Sequence, residues 1–242
     1  MEKESKRYAL VTGANRGLGF GVCELLASQG IVVILTARDE KRGLEAVQKL
    51  KDIGLSDYVV FHQLDVSDSH SITALSTFIA TQFGKLDILV NNAAVFGYEI
   101  DRHSFRASDS GKYASETNFA EVITETYELA EECLTINYYG VKKLTEALID
   151  LLQLSNSPRI VNISSIAGKL EVQHEWAKEV LSDDEKLSEE KIDEVLNQYL
   201  QDFRECLLKT KRWPTMLSAY SLSKATLNVI TFNSGFIKFS LV

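Results

Sequence analysis

Several common catalytic signatures are missing from this sequence of 242 residues. Its four histidines (His62, His70, His103 and His174) show no metal-ligand spacing. Neither the GxSxG elbow that carries a nucleophilic serine nor the GK[ST] phosphate loop occurs in it. These absences argue against a metal-dependent enzyme, a serine hydrolase and a P-loop protein.

Clusters of positive charge, paired cysteines and long apolar runs are also scarce. The net charge is −8, and the only dense cationic stretch is the short run Lys3–Arg7, so a nucleic-acid partner is not expected. The three cysteines, Cys23, Cys133 and Cys206, lie far apart without C-x-x-C spacing, as expected of a reducing compartment. The longest apolar run, Ile31–Leu35, is far too short to span a membrane. We therefore expect a cytoplasmic protein that binds neither nucleic acid nor membranes.

A glycine-rich turn links the first predicted strand to the first predicted helix. The strand Tyr8–Val11 runs through Thr12 into the glycines, and the apolar residues of Phe20–Gln29 follow helical spacing. Glycines let the backbone approach a ligand closely, and the N–H groups at a helix start attract an anion. The GxxxGxG spacing favours a dinucleotide phosphate site over an ordinary βα turn, with the candidate contacts Gly13, Asn15, Arg16, Gly17, Leu18 and Gly19.

The residue after the second predicted strand, Ile31–Leu35, bears on the choice of dinucleotide. In dinucleotide folds a carboxylate near this position binds the ribose 2′-hydroxyl of NAD. Here the chain has Arg38, and Arg16 lies in the glycine turn. Two guanidinium groups suit the 2′-phosphate of NADP(H), which arginine can bind through two hydrogen bonds. The alternative is a pair of surface arginines without a partner.

Strands and helices alternate with short connections through the first part of the chain. Further strands are predicted over Tyr58–Phe61, Leu86–Val90 and Arg159–Ile163, with helices over Lys41–Lys51 and Ser69–Phe83 between the earlier strands. This order is typical of an α/β, Rossmann-like doubly wound parallel sheet with helices on both faces. Ligands bind such sheets at the carboxyl ends of the strands. The length fits a single domain over residues 1–242.

Polar residues follow two of these strands, and another lies on a helix. Asp65 beside Val66 could hydrogen-bond an adenine ring or serve as a helix N-terminal carboxylate. Asn91 and Ala93 follow the fourth strand, where a cofactor would bind. Asn137 lies on the apolar face of a helix predicted over 121–152, where a buried amide needs hydrogen-bond partners. It could equally be a satisfied structural amide.

Two insertions interrupt the alternation. Residues 96–120 are polar and weakly periodic, which predicts a long binding loop. Residues 169–214 form an acidic insertion in which apolar residues recur at helical spacing from Ile192 to Cys206, with Ser188 as the plausible N-cap. This helix should pack its apolar face on the domain or on a partner.

Tyr220 and Lys224 lie four residues apart on a predicted helix, so their side chains point the same way. A phenol is a weak acid at neutral pH, and a neighbouring ammonium group stabilises its deprotonated form. The pair can therefore serve general acid–base chemistry. Ser164 and Ser165 end the predicted strand Arg159–Ile163 and supply candidate hydroxyl groups.

Taken together, these motifs resemble the short-chain dehydrogenase/reductase family, and in detail its carbonyl reductase branch with its plant members. The matching segments, in the family's order, are TGANRGLG, Asp65, NNAA, NYYG, NISS and YSLSK. The resemblance implies NADPH-dependent, reversible reduction of a ketone on a small lipophilic terpenoid- or alkaloid-like molecule.

The resemblance also assigns roles to individual residues. Tyr220 protonates the carbonyl oxygen, which Ser165, or less plausibly Ser164, holds by a hydrogen bond. Lys224 stabilises the phenolate and binds the nicotinamide ribose, while Asn137 holds a water that relays protons. In this branch the insertion before the tyrosine covers an oligomerisation surface, so a monomer is expected.

The sequence departs from the family pattern in two places. The family's NNAG reads NNAA here, which places the methyl group of Ala94 beside the cofactor. After Lys224 the chain reads VITFNSGFIKFSLV, without the family's Pro-Gly turn. We therefore expect the last strands to be missing and the strand that ends at Ile163 to lack a neighbour. The alternative hypothesis is a truncated, non-catalytic chain that at most binds the cofactor.

Overall fold

The computed structural model describes residues 6–100, 122–183, 185–214, 216–233 and 238–241. The chain forms two compact units, the first comprising Met1–Ala94, Ile136–Ser164 and Leu227–Val242 and the second Val95–Thr135 and Ser165–Thr226. Most of the predicted 96–120 loop lies outside the described residues, which include only its first five positions. The prediction of a single domain over 1–242 stays a prediction.

Eight strands form within the described residues. They are β1 (Tyr8–Val11), β2 (Val32–Ala37), β3 (Val59–Gln63), β4 (Ile88–Asn91), β5 (Glu99–Ile100), β6 (Ile123–Thr124), β7 (Arg159–Asn162) and β8 (Lys238–Leu241). The first unit contains a parallel sheet in the order β3-β2-β1-β4-β7-β8, and the second contains the antiparallel pair β5-β6. The strand order runs outward from β1 to β3 on one side and from β4 to β8 on the other. Doubly wound sheets bind ligands at such a switch point, here between β1 and β4.

The helices of the described residues are α1 (Gly17–Ser28), α2 (Glu40–Leu50), α3 (Ser69–Phe83), α4 (Tyr127–Leu134), α5 (Val141–Gln153), α6 (Glu175–Ser182), α7 (Glu189–Arg204) and α8 (Ser218–Asn233). Short turns of 3-10 or π type add Lys51–Leu55, Ser56–Tyr58, Thr135–Gly140, Ile166–Gly168 and Leu170–Val172. None of the helices that the structure describes is long and apolar enough to cross a membrane.

The sheet of the first unit is buried on both faces. Val33 and Leu35 of β2 share one apolar cluster with Cys23 of α1 and Val47 of α2. Ile34 points to the opposite face by strand alternation and is fully buried as well. Helices α3 and α5 pack against each other in the same unit. The predicted Rossmann-like doubly wound sheet is therefore confirmed.

The C-terminal segment corrects the prediction that the strand ending at Ile163 lacks a neighbour. Lys238–Leu241 forms β8, which pairs in parallel with β7 so that Arg159 lies opposite Lys238 and Asn162 opposite Leu241. Strand β7 therefore has a neighbour on that side. An unpaired strand edge presents free N–H and C=O groups, and the β-prone sequence of β8 can pair with them.

The long helix predicted over 121–152 is also corrected. It begins at Tyr127, where the Thr126 hydroxyl accepts a hydrogen bond from the Leu129 N–H at 3.3 Å, and a π-helical turn over Thr135–Gly140 separates α4 from α5. A π turn inserts one extra residue per turn and often marks a functional position. Apolar spacing alone does not reveal such a turn, because both flanking helices keep their own periodicity.

The acidic insertion folds as predicted around α7 in the second unit. The Ser188 side chain accepts a hydrogen bond from the Lys191 N–H at 3.3 Å, which confirms the predicted N-cap. Helix α7 packs against α4 and α6. The side of α7 that is buried comprises Ile192, Val195, Leu196 and Tyr199.

A buried carboxylate joins the end of α7 to the segment that follows it. The Asp202 side chain is 2% exposed and accepts hydrogen bonds from Lys211 Nζ at 2.6 Å and Trp213 Nε1 at 2.9 Å. Gln198 donates a third at 2.7 Å. Burial raises the pKa of Asp202, but these three donors outweigh it, so the carboxyl pKa lies below its usual range.

Candidate active site

The glycine turn of the first unit is held by the segment after β4. Thr12 Oγ1 accepts hydrogen bonds from the backbone N–H groups of Asn92 and Ala93, both at 2.9 Å. The Asn92 side chain donates to the carbonyl oxygens of Thr12 at 2.8 Å and Gly13 at 3.2 Å. An added Cβ at Gly13 would lie 2.9 Å from Ala93 Cα, and Gly13 has φ +61°, so this position requires glycine. Ala93 thus lies directly against the turn.

The start of α1 has the features of an anion site. Arg16 precedes the helix with no side-chain cap on the first N–H groups, and the first turn contains no acidic residue. Gly17 has φ +59° and open space around its Cα, while Leu18 is exposed and Gly19 is buried. Uncapped N–H groups at a helix start can bind the phosphates of a dinucleotide. The residues present therefore fit such a group.

Arg38 follows β2 directly and is exposed. The glycine turn is joined to the same strand, because the Ala14 N–H donates to the Thr36 carbonyl oxygen at 2.8 Å. Parallel strands place their carboxyl ends at one edge of the sheet, so Arg38 and the glycine turn lie at the same edge.

Asp65 does not cap the helix that follows it. Its Oδ1 accepts hydrogen bonds from the Ser67 N–H at 2.9 Å and the Ser67 hydroxyl at 2.6 Å. The cap of α3 is Asp68, which receives the N–H groups of His70 and Ser71. The interpretation of Asp65 as a helix N-terminal carboxylate is therefore wrong, since the chain makes a short Asx turn before the helix begins.

Asn91 is buried within the sheet. Its amide donates to the Asn162 side-chain oxygen at 2.8 Å, and the Asn162 amide donates to Thr231 Oγ1 at 2.9 Å. Asn91 lies opposite Asn162 in the pairing of β4 and β7. These side chains join two strands to α8, so Asn91 has a structural task that the sequence did not indicate.

Asn137 lies in the π-helical turn and is fully buried in the first unit. The turn ends at Gly140, where an added Cβ would lie 3.0 Å from the Val66 carbonyl oxygen. Gly140 thus lets the turn approach the chain beside Asp65 closely, and Val66 is buried there.

The second unit contains the other three candidate catalytic residues: Ser165, Tyr220 and Lys224. Lys224 is 3% exposed, and its Nζ lies 5.7 Å from the centroid of the Tyr220 ring. Burial lowers the pKa of Lys224 from 10.5 to about 8, and the neighbouring thiol of Cys133 acts weakly in the opposite direction. A buried lysine beside a phenol is a typical arrangement for proton transfer.

Ser165 lies on a 3-10 turn that packs against the helix carrying the lysine. Its Oγ accepts a hydrogen bond from the Ala167 N–H at 3.2 Å. An added Cβ at Gly168 would lie 2.7 Å from the carbonyl carbon of Lys224, so only glycine allows this approach. Ser164 instead donates to the Asn228 side-chain oxygen in the first unit. This contact favours Ser165 over Ser164 as the hydroxyl available to a substrate.

Sequence reasoning missed several residues of this region. Thr12 and Asn92 hold the glycine turn, and Phe96 lies with its ring centroid 5.1 Å from that of Tyr220. Cys133 is buried below Ser223 on α8, with its Sγ 3.8 Å from the serine hydroxyl. Nothing in the spacing of these residues marks them, because each acts through a contact between distant segments.

Comparison with known proteins identifies the family. The model of the short chain dehydrogenase family matches residues 7–177. (+)-Neomenthol dehydrogenase from Arabidopsis thaliana is 57% identical over 96% of this chain and 78% of that protein. Salutaridine reductase from Papaver bracteatum is 53% identical over 93% of this chain and 76% of that protein.

A solved structure extends this similarity to the fold. Salutaridine reductase from Papaver somniferum superposes with a TM-score of 0.91 at 50% identity, covering 97% of this chain and 84% of that chain. The chain belongs to the short-chain dehydrogenase/reductase family. It is therefore an oxidoreductase of a family that uses a nicotinamide cofactor.

Proposed function

We propose that this chain reduces a ketone to a secondary alcohol with NADPH, reversibly, on a small lipophilic terpenoid- or alkaloid-like molecule. The names of the similar proteins support this substrate class, because they refer to neomenthol and salutaridine. The identity of 53–57% to both extends over nearly the whole chain.

Most of the proposed cofactor contacts are residues of the first unit. The uncapped start of α1 and the turn of Gly13, Asn15, Arg16, Gly17, Leu18 and Gly19 would hold the pyrophosphate. Arg16 and Arg38 would bind the 2′-phosphate, for which a guanidinium is suited. Asp65 and Val66 would border the adenine, and Asn91 and Ala93 would support the cofactor from the end of β4. Tyr220 and Lys224 would contact the nicotinamide ribose.

The proposed catalytic groups have separate tasks. The bound nicotinamide supplies the hydride. Tyr220 donates a proton to the carbonyl oxygen, and Ser165 donates a hydrogen bond that positions this oxygen. Lys224 stabilises the phenolate that remains, and Asn137 supports proton transfer to the lysine.

One observation carries this proposal above the others. Lys224 is almost completely buried one helical turn after Tyr220, although burial lowers its pKa. A chain that only bound the cofactor phosphates would gain nothing from burying a lysine beside a phenol. Perturbed lysines in such positions are typical of acid–base sites.

We further propose that the protein is a monomer. The apolar face of α7 is buried within the second unit, where α7 packs against α4. Helix α7 therefore covers a surface of the second unit that would otherwise be open to contact with a second subunit. We also propose that the protein is cytoplasmic.

The test is NADPH oxidation by the purified chain, measured with menthone and, separately, with an aromatic ketone as the substrate. We expect turnover with at least one of them and its collapse in Tyr220→Phe, which removes only the hydroxyl that donates the proton. Tyr98→Phe is the matched control and should retain turnover. Binding of NADPH without turnover would instead support a cofactor-binding protein without catalysis.

A further inference from the structure

The side chain of Glu125 contacts the first residue of α8, the helix that carries the candidate catalytic tyrosine. Glu125 follows β6 and precedes the cap of α4, yet its Oε2 accepts a hydrogen bond from the Ser218 hydroxyl at 3.3 Å. The backbone N–H groups of Leu217 and Ser218 also hydrogen-bond to this carboxylate. A residue 93 positions earlier in the chain thus satisfies the first donors of α8.

The start of α8 needs an external partner for two reasons. Its own first turn contains no acidic residue, so no local carboxylate interacts with the positive end of the helix. The residue before it, Leu217, has φ +52°, in the left-handed region that is unfavourable for leucine. Such a conformation persists only where the surrounding contacts hold it.

A second residue, Tyr199 of α7, contacts the same serine. Its hydroxyl lies 2.7 Å from Ser218 Oγ, and both side chains are buried. The single proton of Ser218 is donated to Glu125, so the tyrosine must donate to the serine. Burial raises the pKa of the Tyr199 phenol, which keeps this donor protonated. The hydrogen bonds therefore run from Tyr199 through Ser218 to Glu125.

The carboxylate is itself placed in an unfavourable environment. Burial raises the pKa of Glu125, and the donors at the start of α8 act in the opposite direction. Its Oε1 is buried and has no hydrogen-bond partner in the described part of the chain. Burying this carboxylate is unfavourable by itself. The hydrogen bonds from Leu217 and Ser218 offset that cost, so we infer that Glu125 is buried here to interact with α8.

We propose that Glu125 is a positioning residue for the reaction, fixing the first turn of α8 together with Ser218 and Tyr199 and thereby placing the phenol of Tyr220. Tyr220 is the third residue of α8, so a shift of the first turn moves its side chain directly. A misplacement of about 1 Å can lower the rate of an enzyme about a hundredfold. This inference rests on the catalytic role proposed for Tyr220.

The first test compares the kinetics of Glu125→Gln with those of wild type. Glutamine keeps the shape but removes the charge, so we expect kcat to fall about tenfold or more through misplacement of Tyr220 while the KM for NADPH stays near its wild-type value. Glu131→Gln, a matched change at an exposed position of α4, should leave kcat unchanged. If Glu125→Gln does not fold, Ser218→Ala tests the same contact.

A double mutant examines the proposed chain of hydrogen bonds. Tyr199→Phe should lower kcat by less than Glu125→Gln, and the double variant should be no slower than Glu125→Gln alone, because both act through Ser218. Tyr127→Phe, whose hydroxyl binds Glu131 and Arg204 instead, is the matched control. Losses that multiply in the double variant would contradict this shared path.

Hydrogen exchange followed by mass spectrometry separates this proposal from the proposed function. We expect faster exchange in a peptide covering 217–222 of Glu125→Gln, without a change in the peptide that contains the glycine turn. Unchanged exchange in 217–222, or faster exchange with wild-type kcat, would overturn the positioning role. A wild-type chain without turnover would overturn the proposed function, and the exchange measurement would still decide whether Glu125 fixes α8.

Discussion

The buried Lys224 should lower the stability of the fold, which Lys224→Met can reveal. Burial lowers its pKa from 10.5 to about 8. At about 1.4 kcal/mol per pKa unit, this difference corresponds to about 3–4 kcal/mol of unfavourable free energy for the charged form in the folded state. Methionine has a similar length and no charge. The free energy of unfolding of the variant at pH 7 should therefore exceed that of wild type by up to about 3–4 kcal/mol, and the variant should lose turnover.

The pH dependence gives the sign of this effect. Below pH 8 the lysine is protonated in both the folded and the unfolded chain, so the folded state carries the full penalty. Between pH 8 and 10.5 only the unfolded chain keeps the proton, so wild-type stability rises relative to the variant. The advantage of Lys224→Met should therefore shrink across this range.

Urea unfolding followed by circular dichroism at pH 7, 8.5 and 9.5 measures this difference. Lys49→Met is the matched control, because Lys49 is exposed on α2 and should show no gain in stability at any pH. A Lys224→Met variant that is less stable than wild type at pH 7, or whose advantage does not change with pH, would refute the reasoning.

Three further substitutions test other parts of the structure. Gly19→Ala places a methyl group against the amide that holds the glycine turn and should cost about 2 kcal/mol in urea unfolding, whereas Gly21→Ala, with open space on the same helix, should be neutral or stabilising. Arg38→Asp should raise the KM for NADPH about tenfold or more and lower the KM for NADH. Equal effects on both KM values would contradict the proposal that Arg38 binds the 2′-phosphate. Asp202→Asn should cost about 3 kcal/mol near pH 7, with the loss shrinking as the pH falls below about 3.8, whereas Glu194→Gln on the same helix should have little effect. A loss for Asp202→Asn that persists at low pH would contradict the buried ion pair.

Local sequence patterns predicted strands β1 to β4 and β7 of the first unit well. Each of these strands is a short, mostly apolar run, and the glycine turn lies where a strand passes into a helix, so apolar runs and turn residues suffice to identify both. The cap at Ser188 was predictable for the same reason, since a cap contacts the backbone three residues later. These features depend only on residues close together in the chain.

Features that depend on distant segments were not predictable in this way. The π turn around Asn137 changes the hydrogen bonding of a helix without changing its apolar spacing. Strand β8 forms because β7 offers a free edge, which the segment itself does not reveal. Asn92 and Glu125 each bind a backbone far away in sequence, so their roles appear only after folding.

The most direct test of the central claim is transfer of deuterium from NADPH that carries deuterium at both hydrogen positions of the nicotinamide C4, so that either hydride is labelled. Mass spectrometry of the alcohol formed from menthone, or from whichever ketone is turned over, should show one deuterium per product molecule with wild type. No labelled alcohol should form with Tyr220→Phe. Oxidation of labelled NADPH without deuterium in the alcohol, or equal labelling by both proteins, would contradict the account of this chain as a ketone reductase that uses Tyr220 as its acid.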